Sequence, residues 1–166
     1  MSKFRFISLL FCLIFCTLSG CGVYSFKGAL APHLNTVAVP LFENATAEFG
    51  VTEELTDMVV REFTQDNSLR ISDQNVADIL VEGKIMRIEE RAGAFDPQET
   101  VSSLRVYLTV SVKATDQVKK TILWEERITQ WGIYDSGDTL TGRQDALIVA
   151  MEKISEEILN KTVAGW

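Results

Sequence analysis

Apolar and polar residues alternate without a break over Leu104, Val106, Leu108, Val110, Val112 and Ala114. A period of two predicts a half-buried strand, with Arg105, Tyr107, Thr109, Ser111, Lys113 and Thr115 on its other face. At about 3.3 Å per residue this strand alone is about 35 Å long, well beyond the usual five to six residues. Upstream, Ile79, Val81, Gly83 and Ile85 alternate, then the pattern slips to Met86 and Ile88, which predicts a bulge. Downstream, residues 121–131 carry Trp124, Ile128 and Trp131 and predict the partner strand. Asp116 to Lys120 turns the chain between the two, so the sheet is expected to be elongated, with the 116–120 tip reaching far from one end. Ala92 to Thr100 contains Gly93, Asp96 and Pro97 and is expected to be a loop, as is Gly132 to Asp138.

Helical spacing appears twice. Val51, Leu55, Met58, Val59 and Phe63 recur at three and four residues, predicting an amphipathic helix over 50–66 that stops at Asn67. Glu53 and Glu54 fall in its first turn, where the helix dipole favours acids. Thr141-Gly142-Arg143-Gln144 has the capping-box form. After it, Ala146, Leu147, Ala150, Met151, Ile154, Ile158 and Leu159 keep helical spacing to about Thr162. Thr36 to Phe42 is β-branched and apolar and predicts a buried strand that Pro40 places at an edge or brings to an end. Glu43-Asn44-Ala45-Thr46 predicts a turn, Leu69 to Ser72 a short strand, and 73–77 another turn. The order is β-α-β-β-β-β-α. Two helices can cover one face of such a sheet, so the expected fold is α+β. It is a two-layer sandwich, with both helices on one face of an elongated mixed sheet of four to five strands and the other face open.

The amino terminus changes the picture. A basic start, Met1-Ser2-Lys3-Phe4-Arg5, precedes an apolar run from Phe6 to Leu18 that is too short for the roughly 20 residues of a membrane span. Leu18-Ser19-Gly20-Cys21 closes that run and resembles the lipobox of bacterial lipoproteins. The resemblance implies removal of 1–20 as a signal peptide, acylation of Cys21, and a lipid-anchored chain. Gly22 in place of Asp resembles the class sorted to the outer membrane. Residues 21–35 are expected to form a linker along the domain, pinned by Tyr24 and Phe26, and 36–166 a single domain. Cys12 and Cys16 leave with the leader, so no disulfide or cysteine metal site is expected.

Charge and composition exclude several functions. The chain has 16 Lys and Arg against 23 Asp and Glu, a formal charge of −7, and loss of Lys3 and Arg5 makes the remainder more acidic. Nucleic-acid binding needs phosphate neutralisation by Lys and Arg and is not expected. His33 is the only histidine and lies in the linker, which argues against a Ser-His-acid site and a His-based metal site. Glu89-Glu90 and Glu125-Glu126 are adjacent on strands, so each pair points to opposite faces as solvated acids rather than as an acid/base pair. No phosphate-cradling glycine loop is present. The chain is expected not to be an enzyme and to carry no cofactor beyond the acyl anchor. Lys119-Lys120 is the one compact basic feature, either a solvated turn or a contact for an anionic headgroup or partner loop. Tyr107 with Trp131 predicts cross-strand packing first and an open-face patch second.

An ordered series of segments then resembles the LptE family of lipopolysaccharide-assembly lipoproteins. Cys21-Gly22-Val23-Tyr24-Ser25-Phe26 is similar to the family's start, and Thr36 to Thr46 to its first strand and turn. Val51 to Phe63 is similar to its first helix. Asp78 to Gly83, Arg105 to Val112, Ile122 to Glu125 and Gly165-Trp166 continue in the same order. The resemblance spans nearly the whole mature chain, although each motif is mostly hydrophobic pattern. It implies an outer-membrane lipoprotein, on the periplasmic face, that plugs the large β-barrel LptD, helps it assemble, and contacts lipopolysaccharide. Under that implication Lys119 and Lys120 are the leading lipopolysaccharide contacts, with Arg105 and Lys113 on the open face behind them. The acidity of the domain departs from what such binding wants. Curli-secretion and penicillin-binding-protein-activator lipoproteins also share a lipobox, Val37 to Asn44 and Ala77 to Gly83. They imply instead a self-assembling channel subunit or a regulator of wall synthesis. A periplasmic hydrolase lacks a site.

Overall fold

The chain runs β1 (Thr36–Ala38), β2 (Glu43–Asn44), α1 (Val51–Asp66), β3 (Arg70–Ile71), β4 (Ile79–Phe95), β5 (Val101–Asp116), β6 (Thr121–Asp135) and α2 (Thr141–Val163). This computed structural model describes residues 30–95, 101–138 and 141–164. The expected signal peptide, Cys21, Gly22, Tyr24, Phe26 and the closing Gly165-Trp166 lie outside the described residues. Strand order is β3-β1-β4-β5-β6, with β2 also pairing β4. β1 pairs in parallel with β3 and β4, β2 pairs in parallel with β4, and β5 pairs antiparallel with β4 and β6. Both helices cover one face, so the fold is the expected two-layer α+β sandwich. No helix among the described residues is long and apolar enough to cross a membrane.

The inner face follows the alternation. Val106, Leu108, Val110, Val112 and Ala114 of β5 are buried, against Val51, Leu55, Val59 and Phe63 of α1 and Ala150, Met151, Ile154 and Ile158 of α2. α1 ends where Asn67 turns left-handed at φ 58°, its N–H donating to the Phe63 carbonyl at 3.1 Å. Asn tolerates that conformation better than most residues. β1 stops at Ala38, two residues before Pro40, while Phe42 turns inward to only 2% exposure. Its ring lies where a Cβ on Gly83 would be, at 2.3 Å from the nearest ring atom, so β4 needs glycine there.

The structure departs from the pattern at three places. The expected turn at 43–46 begins with the short strand β2, which pairs Glu43 with Lys84 and Asn44 with Ile85. The turn follows, with Asn44 Oδ1 accepting the Thr46 N–H at 2.8 Å. Much of both expected loops is strand, since β4 continues to Phe95 and β6 to Asp135. Gly93 and Gly132 suggested loops, but they serve close approach instead. A Cβ on Gly132 would stand 2.0 Å from the Ala146 carbonyl oxygen, so α2 lies directly on β6. Finally, the 117–120 turn does not project. Gln117 donates its N–H to Asp78 O at 2.7 Å and its Nε2 to Gln74 O at 2.7 Å, which ties the turn to the start of β4. The overhang is at the opposite end: β1 reaches only Leu80 of β4 and β2 only Ile85, while β4, β5 and β6 run on together.

Polar ties hold each end. At the overhanging end Glu90 faces the helices and accepts the Tyr134 hydroxyl at 2.8 Å and the Arg143 Nε–H. Arg143 also pairs with Glu48, so α2, β4, β6 and the segment before α1 share one clamp. At the other end His33 Nε2 lies 2.7 Å from the Oδ2 of Asp116, which is 2% exposed. Asp78 accepts from Asn35 N at 2.9 Å and from the N and Oγ1 of Thr36.

Two outcomes follow from this packing. Gly132→Ala forces β6 and α2 apart and should cost about 1–3 kcal/mol; an unchanged denaturation midpoint would contradict direct helix–strand contact. The second outcome concerns acid. The Arg143 hydrogen bond holds Glu90 below its ordinary value, and the Asn35 amide does the same for Asp78. Burial pushes Asp116 up, but the Lys119 amide, His33 and the Val118 amide together bring it below the ordinary value. Folded values lower than unfolded ones give stability that is present above the ordinary carboxylate range and lost as pH falls through the folded values. Melting temperature should therefore drop steeply below about pH 4, and Asp78→Asn should reduce that slope while lowering stability at neutral pH. A slope unaltered by the substitution would remove Asp78 from the account.

Candidate functional site

A register shift in β4 builds the most distinctive surface. Ile85 pairs with Val110, and the next pairs are Arg87 with Thr109 and Ile88 with Leu108. The extra residue, Met86, exchanges the faces of the residues that follow as far as Ala92, where the register shifts again. Ile88, Glu90 and Ala92 then point to the helices, and Arg87, Glu89 and Arg91 join the open face. Glu89 stands beside Tyr107, Arg91 beside Arg105, and Tyr107 beside Trp131 across β4, β5 and β6.

The side chains there stack. The Arg91 guanidinium sits 4.9 Å from the Tyr107 ring centre, and that of Arg105 sits 4.5 Å from Trp131. Lys153 reaches over the sheet edge from α2, with Nζ 4.7 Å from the Trp131 ring and 2.9 Å from the Trp131 carbonyl oxygen. That bond also caps part of an edge strand that would otherwise offer free carbonyls. Glu89 accepts from Arg91 at 2.9 Å and Arg87 at 3.1 Å, and the Arg91 bond foremost lowers its pKa. Arg105 has no carboxylate partner among the described residues, and its buried Nε has no hydrogen-bond partner. Ile133, half exposed, extends the apolar part. A guanidinium stacked on a ring keeps its N–H edge available for phosphate or carboxylate oxygens. The patch therefore offers cations and exposed apolar surface side by side, which is the chemistry an anionic amphiphile needs.

The structure disperses the four basic residues singled out in the sequence. Arg105 belongs to the patch. Lys113 pairs with Glu82 at 2.9 Å, a bond that foremost raises its pKa, and Glu125 lies across from it. Lys84 pairs with Glu43 at 2.9 Å in the same acidic zone. Lys119 and Lys120 are exposed at the turn, about 35 Å from Trp131 along β6. Cys21 lies outside the described residues. Arg87, Arg91 and Lys153 were missed in the sequence. The bulge is legible in the sequence, but the face it gives Arg87 depends on the pairing with Thr109 of β5, Arg91 borders an expected loop, and Lys153 arrives from a distant helix. Among the described residues no group of three or more His, Cys, Asp or Glu could hold a metal ion.

Comparisons with known proteins fit this architecture. The chain is similar in fold to a hypothetical protein of Chlamydia trachomatis, with a TM-score of 0.61 at 11% identity over 79% of this chain and 96% of that one. A Xanthomonas campestris protein gives 0.60 at 16% identity over 80% and 88%. The PelC dodecamer of Paraburkholderia phytofirmans gives 0.54 at 15% over 78% and 87%. No curated protein sequence matches the chain. The family model described as LptE, lipopolysaccharide-assembly, matches residues 34–162, from the segment entering β1 almost to the end of α2. By that match, which takes in every strand of the sheet and nearly all of both helices, the chain belongs to the LptE lipopolysaccharide-assembly family.

Proposed function

We propose that this chain is a lipoprotein acylated at Cys21 and held at the periplasmic face of the outer membrane. It seats in an LptD-type β-barrel, helps that barrel assemble, and contacts lipopolysaccharide through Arg91, Tyr107, Arg105 and Trp131. It acts by binding rather than by catalysis. The observation that carries the lipid contact is the pair of ring-stacked arginines on an uncovered sheet face of an otherwise acidic protein. Lipopolysaccharide is an anionic amphiphile, so stacked arginines meet its phosphates while Trp131 and Ile133 meet its apolar part. An elongated body with one open polar face also suits the lumen of a large barrel, which is itself polar. Several acyl chains supply the anchor, since one chain alone binds a membrane only marginally.

Arg91→Glu combined with Arg105→Glu reverses two charges in the patch and should weaken binding of purified lipopolysaccharide about tenfold or more at low salt. Intact binding in that variant, with loss in Lys119→Glu/Lys120→Glu, would move the contact to the turn. Cys21→Ala should leave an uncleaved or mislocalised precursor; normal outer-membrane fractionation of that variant would defeat the anchor. The competing reading is a ring of identical subunits, since the PelC dodecamer is built on a similar fold. A mass of one protomer per barrel in mild detergent supports the plug, and a large homo-oligomer supports the ring.

A further inference from the structure

We propose that the 44–50 loop and the cavity beside it, between the first turns of α1 and α2, form a docking site for a loop of the β-barrel partner that carries an apolar side chain next to a lysine or arginine. Phe49 is the anchor of that site. This rests on the barrel seating of the preceding reading and adds the grip by which the chain is held there. Phe49 is 98% exposed, although the residues on both sides of it are fixed. Asn44 Nδ2 donates to the Glu48 carbonyl oxygen at 2.7 Å, Thr46 Oγ1 accepts the Glu48 N–H at 3.3 Å, and the Glu48 carboxylate pairs with Arg143. On the other side Gly50 turns left-handed at φ 79°, and its carbonyl accepts the Glu54 N–H at 3.2 Å where α1 starts. Glycine adopts that conformation without strain. A ring held out in water on an ordered loop loses little further freedom on docking, and its apolar area is then removed from water.

The cavity beside Phe49 measures about 380 Å³. Val51 and Leu147, both buried, supply its apolar lining, and Glu48, Glu54 and Arg143 are among its polar residues. Charge selects the occupant. Arg143 is already paired with Glu48 and Glu90. Glu53 and Glu54, in the first turn of α1, form no ion pair among the described residues. A second copy of this chain would bring the same acids face to face, and an anionic lipid surface would set phosphates against them, so both are repelled. A loop with a cation beside its apolar residue is complementary. Its apolar side chain meets Phe49 and the cavity, and its cation meets Glu53 and Glu54. The site lies on the helix side of the sheet, where Glu90 reaches Arg143. The arginine patch on the open face therefore stays free for lipid while the barrel is gripped.

The test uses the full-length acylated protein in its complex with the barrel, purified in mild detergent. It reads the rate at which tagged chain in that complex exchanges with untagged wild-type chain. Phe49→Ala should speed exchange about tenfold or more, since an aromatic anchor carries a large share of an interface. Glu54→Lys should speed it by a smaller factor that shrinks with added salt. The melting temperature of the uncomplexed protein should be the same for Phe49→Ala as for wild type, because a ring so exposed packs on almost nothing. A photoreactive residue in place of Phe49 should form its adduct with the barrel; a dominant adduct with lipid or with a second copy would overturn the occupant. A wild-type exchange rate in Phe49→Ala overturns the anchor and leaves the barrel seating intact. If no barrel accompanies the wild-type chain, the seating itself falls and the docking site falls with it.

Discussion

Two helices cover one face of a ribbon of three strands, each of 15 to 17 residues, and nothing among the described residues covers the other. That one-sided burial decides most of the rest. It requires an apolar inner face, which the alternation of β5 supplies. It makes the outer face polar and leaves that face available. It also requires the second helix to lie close enough to seal the core, and Gly132 under Ala146 allows this. The single extra residue after Ile85 then redistributes charge without disturbing the core. Before it, β4 gives the open face Glu82 and Lys84; after it, Arg87, Glu89 and Arg91.

The open face therefore has two zones of different character. Nearer the chain's entry, lysines and acids neutralise one another in pairs. Further along, arginines lie on aromatic rings, and one of them has no acid partner among the described residues. An acidic chain, at a formal −7, is therefore compatible with the proposed contact to an anionic lipid. Net charge describes the whole surface, and a local zone of opposite sign still binds when its neighbours are already paired. The clamp of Glu48, Arg143, Glu90 and Tyr134 lies on the helix side of the same strands, so the patch is carried on a rigid support.

Much of this was legible in the sequence, for physical reasons that differ by element. Both helices showed their buried residues because a helix packed on one side has a clear 3.6-residue period. The bulge showed as a slip of period. Strand ends were less legible: Gly93 and Gly132 suggest loops, whereas here glycine accommodates a neighbour at close range. Only the folded chain shows which end overhangs, because that depends on β1 and β2 stopping at Leu80 and Ile85 of β4. The basic candidates suffered most. Compactness in sequence favoured Lys119-Lys120, while the arginines that meet in space come from two strands and stack on rings from two strands.

Site-specific photocrosslinking from position 129 tests the central claim most directly. Thr129 lies exposed on the open face between the two zones. With a photoreactive residue there, in cells expressing the protein at its native level, the account predicts an adduct with a large outer-membrane β-barrel. An adduct of the chain with itself as the dominant product would contradict it and make the open face a contact between identical subunits.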